Sequence, residues 1–106
     1  MSMTTIDIAQ RCKNSLANHY GSRFKGLILY GSQARNQSST GSDIDLLVLL
    51  NRPFDYFHEL YQIIDLLYPI QLGSEQLISV KPAAVDDFEQ SSIQLYRNIK
   101  REGLAL

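Results

Sequence analysis

Apolar and polar positions alternate along the chain in blocks whose spacing predicts helices and strands in turn. In residues 4–20, Ile6, Ala9, Leu16, Ala17 and Tyr20 recur at helical spacing. That predicts an amphipathic helix capped by Thr4 or Thr5, with Asp7 in its first turn and Gly21 as its stop. Residues 24–30 end in the run Leu27-Ile28-Leu29-Tyr30 and predict a strand. Residues 33–41, QARNQSSTG, are polar and turn-rich and predict a short helix or loop. The run IDLLVLL at 44–50 predicts a second strand, apolar on both faces and therefore central, ended by Asn51, Arg52 and Pro53.

Residues 54–68 predict a helix whose stripe of Phe54, Phe57, Leu60, Tyr61, Ile64, Leu67 and Tyr68 packs on the core, with Tyr68-Pro69 at its end. Residues 74–80, SEQLISV, predict a third strand. Residues 82–102 predict a last helix, with Pro82 near its start, Asp86 and Asp87 in an early turn, and Gly103 as its cap. This order predicts an α/β (α+β) fold, one domain over residues 1–106, in which helices pack on a small sheet.

Composition narrows the function more than the fold. Hydrophobic residues make up 44% of the 106, enough for a core, and the formal net charge is −1 with no basic cluster. Direct binding to nucleic acid, which needs several phosphate contacts, is therefore not expected. The single cysteine, Cys12, excludes an internal disulfide and a thiolate zinc cluster and reads as a buried thiol. No run reaches the roughly 18 apolar residues of a membrane span, and no signal peptide is evident, so a cytoplasmic protein without membrane contact is expected.

The candidate chemistry lies where the two first strands meet. Side chains alternate between faces along a strand, so Asp43 and Asp45 point the same way, with Ile44 opposite. Two carboxylates side by side at the mouth of an apolar strand repel each other and resist desolvation. A divalent cation is the simplest compensation. Gly31-Ser32, at the end of the first strand, offers backbone N–H groups to an anion with no Cβ in the way. Arg35 has two readings, a contact to phosphate oxygens or a surface arginine paired with a carboxylate, and its place beside the glycine turn favours the first.

The string Gly31-Ser32-Gln33-Ala34-Arg35 followed by Ser42-Asp43-Ile44-Asp45-Leu46-Leu47-Val48 resembles the signature of the polymerase-β-like nucleotidyltransferases. It is most similar to the minimal nucleotidyltransferases (MNT), often antitoxins encoded beside a HEPN-domain ribonuclease. The resemblance implies the polymerase-β-like fold with a short mixed sheet. It implies Mg²⁺ held by Asp43 and Asp45, and ATP as substrate with its phosphates on Gly31, Ser32 and Arg35. It also implies transfer of AMP to a tyrosine hydroxyl of a cognate HEPN toxin, with which the chain would form a hetero-oligomer.

The sequence departs from this pattern in one place. The family supplies a third acid inside the third strand, where alignment here puts Ser79. Glu75 shares a face with Ser79 on an ideal strand but lies about 13 Å away. It is nonetheless the acid left to serve as the catalytic base. The missing acid keeps open a non-catalytic antitoxin that masks its partner. A small-molecule enzyme of the aminoglycoside-modifying type shares the motif but usually carries a further helical domain. Arg52 and His58 mimic the Arg–His spacing of HEPN ribonucleases, but Arg52 closes a strand and Pro53 follows, so that reading is rejected.

Overall fold

The computed structural model describes residues 4–31 and 43–106. Helix α1 (Thr5–Tyr20) opens on a reciprocal cap: the Asp7 amide donates to Thr4 Oγ1 at 3.1 Å and the Thr4 amide donates to Asp7 Oδ2 at 3.2 Å. It stops at Gly21, and a single 3₁₀ turn (Gly21–Arg23) leads into strand β1 (Phe24–Tyr30). Strand β2 (Ile44–Leu50), helix α2 (Tyr56–Leu72) and strand β3 (Ile78–Ala84) follow. The chain ends in α3 (Val85–Glu89), α4 (Gln94–Glu102) and a two-residue strand β4 (Leu104–Ala105).

The described strands form one mixed sheet in the order β3-β2-β1-β4. β1 is antiparallel to β2 and β4, and β2 is parallel to β3. The apolar β2 is thus central, as its sequence demands, and its two sets of side chains enter two cores. Ile44, Leu46, Val48 and Leu50 meet α1 and α2 through Ile8, Cys12, Leu16, Ile63 and Leu67. Leu47 and Leu49 meet Ile28, Ala83, Phe88 and Ile99 on the other face, under α3 and α4. Cys12 is buried and free, and burial pushes its thiol up to about 11. Gly103 lets α4 turn back into β4, because a Cβ there would lie 2.6 Å from the Ile99 carbonyl oxygen and 2.7 Å from Ile28.

Three expectations are corrected. β3 begins at Ile78, not Ser74, and runs through Pro82 to Ala84, residues the sequence pattern gives to a helix. Proline is tolerated there because β3 is an edge strand, where its missing N–H removes no ladder bond. The last predicted helix is consequently split into α3 and α4. Helix α2 does not stop at Tyr68 but carries Pro69 inside it. Pro69 and Asp65, whose carbonyl loses its helical donor, are both exposed, so water can serve that carbonyl.

The third correction concerns which side of α2 is inside. Phe57, Tyr61, Ile64 and Tyr68 are exposed, while Glu59, Ile63 and Leu67 are buried. Glu59, the buried charged residue among those described, accepts a hydrogen bond of 2.7 Å from the Tyr20 hydroxyl, and the Arg23 guanidinium lies 3.8 Å from its other oxygen. This contact ties the end of α1 to the start of α2. Removing the donor alone leaves a buried carboxylate short of a partner, so Tyr20→Phe is expected to cost roughly 1–3 kcal/mol. Urea unfolding checks this, and an unchanged midpoint would contradict it.

Candidate active site

The site is built where β1 ends and β2 begins. The register places Tyr30 opposite Asp45 on one side and Ser79 beside Asp45 on the other, so these three residues form one row across β1, β2 and β3 on the face shared with α3 and α4. The next row is Ile28, Leu47 and Lys81, already part of the apolar core at its first two positions. The Asp45 row therefore sits at the rim of the core. Asp43 precedes the strand, exposed and two residues from Asp45, close enough for its charge to act on the Asp45 carboxyl.

Gly31 closes the site against Asp45. Its φ of +78° lies in the left-handed region, and a Cβ built on it would fall 2.5 Å from Asp45 Oδ2. Glycine is required twice over, for its backbone and for the space the carboxylate occupies. The consequence is a backbone turn in direct contact with an acid, with no side chain between them.

The electrostatics follow from this packing. Partial burial, then the neighbouring Asp43, hold the Asp45 carboxyl above the usual carboxylate range, with Lys81 working weakly against them. Burial, then Asp45 and Tyr56, push the Tyr30 phenol up to about 12, so it stays neutral. A half-buried acid crowded by a second acid, with an oxygen-only donor set, is suited to a hard divalent cation. Asp43 and Asp45 are the residues that could hold one.

The predicted site residues divide as follows. Gly31 lies against Asp45, and the charge of Asp43 acts on the Asp45 carboxyl. Ser32 and Arg35 lie outside the described residues. Glu75 sits exposed in the bend before β3, not on the strand, so the shared-face argument for it no longer holds. Among the described residues no cluster of three or more His, Cys, Asp or Glu side chains forms, and Glu75 does not join the pair. Ser79 occupies the position beside Asp45. His58 is exposed, and Arg52 is held by Asp86 (3.1 Å) and Asp87, which fixes the end of β2 to α3. Tyr30 and Lys81 were not singled out in the sequence. Finding them needs the strand register, which pattern alone does not supply.

A family model described as "Polymerase beta, Nucleotidyltransferase" matches residues 10–106. The chain belongs to this nucleotidyltransferase family. A putative protein adenylyltransferase of Methanocaldococcus jannaschii is 32% identical over 97 residues, 88% of this chain and 88% of that protein. The crystal structure of a putative nucleotidyltransferase from Sulfolobus solfataricus superposes with a TM-score of 0.68 at 13% identity, covering 95% of this chain and 78% of that one, and shows the shared fold. Nucleotidyltransferases of this family use a nucleoside triphosphate with a divalent metal, which agrees with an acid pair set against a glycine turn.

Two measurements check the geometry. Gly31→Ala must distort the turn or displace Asp45, and is expected to cost at least about 1–2 kcal/mol in chemical unfolding from the left-handed backbone alone. A neutral result would mean that Asp45 is not pressed against the turn. The raised Asp45 carboxyl means that the folded chain keeps this proton to higher pH than the unfolded chain does. Stability from this group thus falls as pH rises through its titration. Without divalent cations at pH 7, Asp45→Asn should raise the melting temperature, and a fall would contradict the crowding described here.

Proposed function

We propose that the chain transfers AMP from ATP to a hydroxyl on a protein, a tyrosine of a cognate HEPN ribonuclease toxin, and so acts as the antitoxin of the pair. The observation that carries the transfer reading is Asp45 at the β2 mouth set against Gly31, with the charge of Asp43 acting on it. The protein acceptor and the adenylyl group are supported by the adenylyltransferase relative, which aligns along most of both chains.

In this reading Asp43 and Asp45 would hold Mg²⁺. When bound, the ion supplies charge neutralisation at the triphosphate and polarises the reacting phosphate. Gly31 and Ser32 bind the β- and γ-phosphates through backbone N–H groups and the Ser32 hydroxyl, and Arg35 adds positive charge. The acceptor oxygen forms a bond to the α-phosphorus as the bond from that phosphorus to the bridging oxygen breaks. Pyrophosphate leaves and the hydroxyl proton ends in solvent. The protein contributes alignment and electrostatics.

A second reading has one observation in its favour. Ser79, not an acid, lies beside Asp45. A chain that keeps the fold without a complete carboxylate set could neutralise its partner by contact. Incubation with ATP, Mg²⁺ and the HEPN candidate separates the two by intact mass. Transfer adds about 329 Da per AMP (adenylate less water) and is lost in Asp43→Asn. A stable complex of unmodified mass would establish masking instead. If Ser79 marks a weakened metal seat, Ser79→Asp should tighten divalent cation binding by roughly an order of magnitude, since affinity follows ligand charge. Unchanged binding in a titration calorimeter would show that Ser79 does not face the ion.

A further inference from the structure

Helix α2 carries an apolar ridge that the fold leaves uncovered. Phe57, Tyr61, Ile64, Tyr68 and Leu72 are spaced four, three, four and four residues apart, and each is between 46% and 69% exposed. Every step is about one helical turn, so the side chains form a line nearly parallel to the axis, about 22 Å long at 1.5 Å per residue. Beside it a groove of about 240 Å³ runs between α2 and β3, lined by Ile64, Tyr68, Gln71, Leu77 and Val80 among others. Isolated exposed apolar side chains are ordinary, but a continuous ridge and groove marks an interaction surface.

The shape and the charge of this surface narrow what covers it. Strand addition at the β3 edge is blocked by Pro82, which lacks the N–H a new strand would need. Anchors at i, i+4, i+7 and i+11 beside a groove match the footprint of an amphipathic helix laid along α2. From Pro53 to Val80 the chain holds no Lys or Arg, and the exposed acids Asp55, Asp65 and Glu75 fall near the start, middle and end of that stretch. An anionic membrane is repelled by such a stretch. A second copy fits poorly too. In a two-fold pairing centred on Ile64, each Asp65 would approach the other.

We propose that α2 and the β3 edge dock an amphipathic helix of the partner protein whose apolar stripe is bordered by Lys or Arg. This rests on the protein-acceptor reading above and adds where and how that protein is held. Leu77, at one end of the groove, accepts a backbone hydrogen bond from Ile44, which lies between Asp43 and Asp45. A helix seated here thus ends one strand away from the acid pair, on the opposite face of the sheet.

The test uses the full chain and a fluorescent helical peptide of roughly 20 residues, with Leu along one stripe and Lys and Arg beside it. A second peptide has Glu in place of the basic residues. Anisotropy should show the basic peptide binding at least tenfold more tightly than the acidic one, with the difference shrinking as salt rises. The double variant Tyr61→Glu, Ile64→Glu should lose binding while keeping its melting temperature, because both residues are exposed. Asp43→Asn should bind as the parent does, since no ATP is present. Equal binding of the two peptides, or none, would overturn the proposal. So would a dimer in sedimentation that Tyr61→Glu dissociates, which would make a second copy the occupant. Peptide binding without AMP transfer to the toxin would count against the transfer reading alone.

Discussion

The constraint from which the site follows is the mutual repulsion of Asp43 and Asp45 at the mouth of β2. Among the described residues little relieves it. Tyr30 stays neutral beside Asp45, Ser79 carries no charge, and Lys81 lies a row further along the sheet. Asp45 is instead pressed against a glycine whose missing Cβ is the space its oxygen fills. A cluster that is costly by itself persists because the sheet around it is over-determined. β2 is buried on both faces and paired on both edges. A cation bound between the acids would supply the compensation that the described residues give only weakly through Lys81.

Much of this was legible in the sequence because it rests on rules that act locally. β1 and β2 run over the predicted residues, since each is an apolar run bounded by residues that stop a strand. α1 is set by Thr4, Asp7 and Gly21, all within a turn of its ends. The electrostatic coupling of Asp43 to Asp45 follows from their spacing of two. The polymerase-β-like fold and the nucleotidyltransferase family also follow from the short string that joins these strands.

What failed depended on contacts distant in sequence. Pro82, Ala83 and Ala84 read as the start of a helix, but pairing with Val48, Leu49 and Leu50 holds them as strand. The same shift moves Glu75 off the strand and out of the site. Helix α2 is apolar nearly all round, so its period permits two inward faces. The face chosen from the sequence avoided Glu59. The true one contains it, because Tyr20 and Arg23 make a buried carboxylate tolerable there. That choice leaves the aromatic side outward, and the sheet then divides the molecule, with Asp45 on one face and the apolar ridge on the other.

Nucleotidyl transfer by this chain requires a cation seated between Asp43 and Asp45. Manganese is a direct probe, because it broadens the amide signals of nearby residues in proportion to their closeness. Titrated into the isotopically labelled chain, it should broaden Gly31, Asp43, Ile44, Asp45 and Ser79 first, and this should vanish in Asp43→Asn. Broadening centred elsewhere, or unchanged by that substitution, would contradict it.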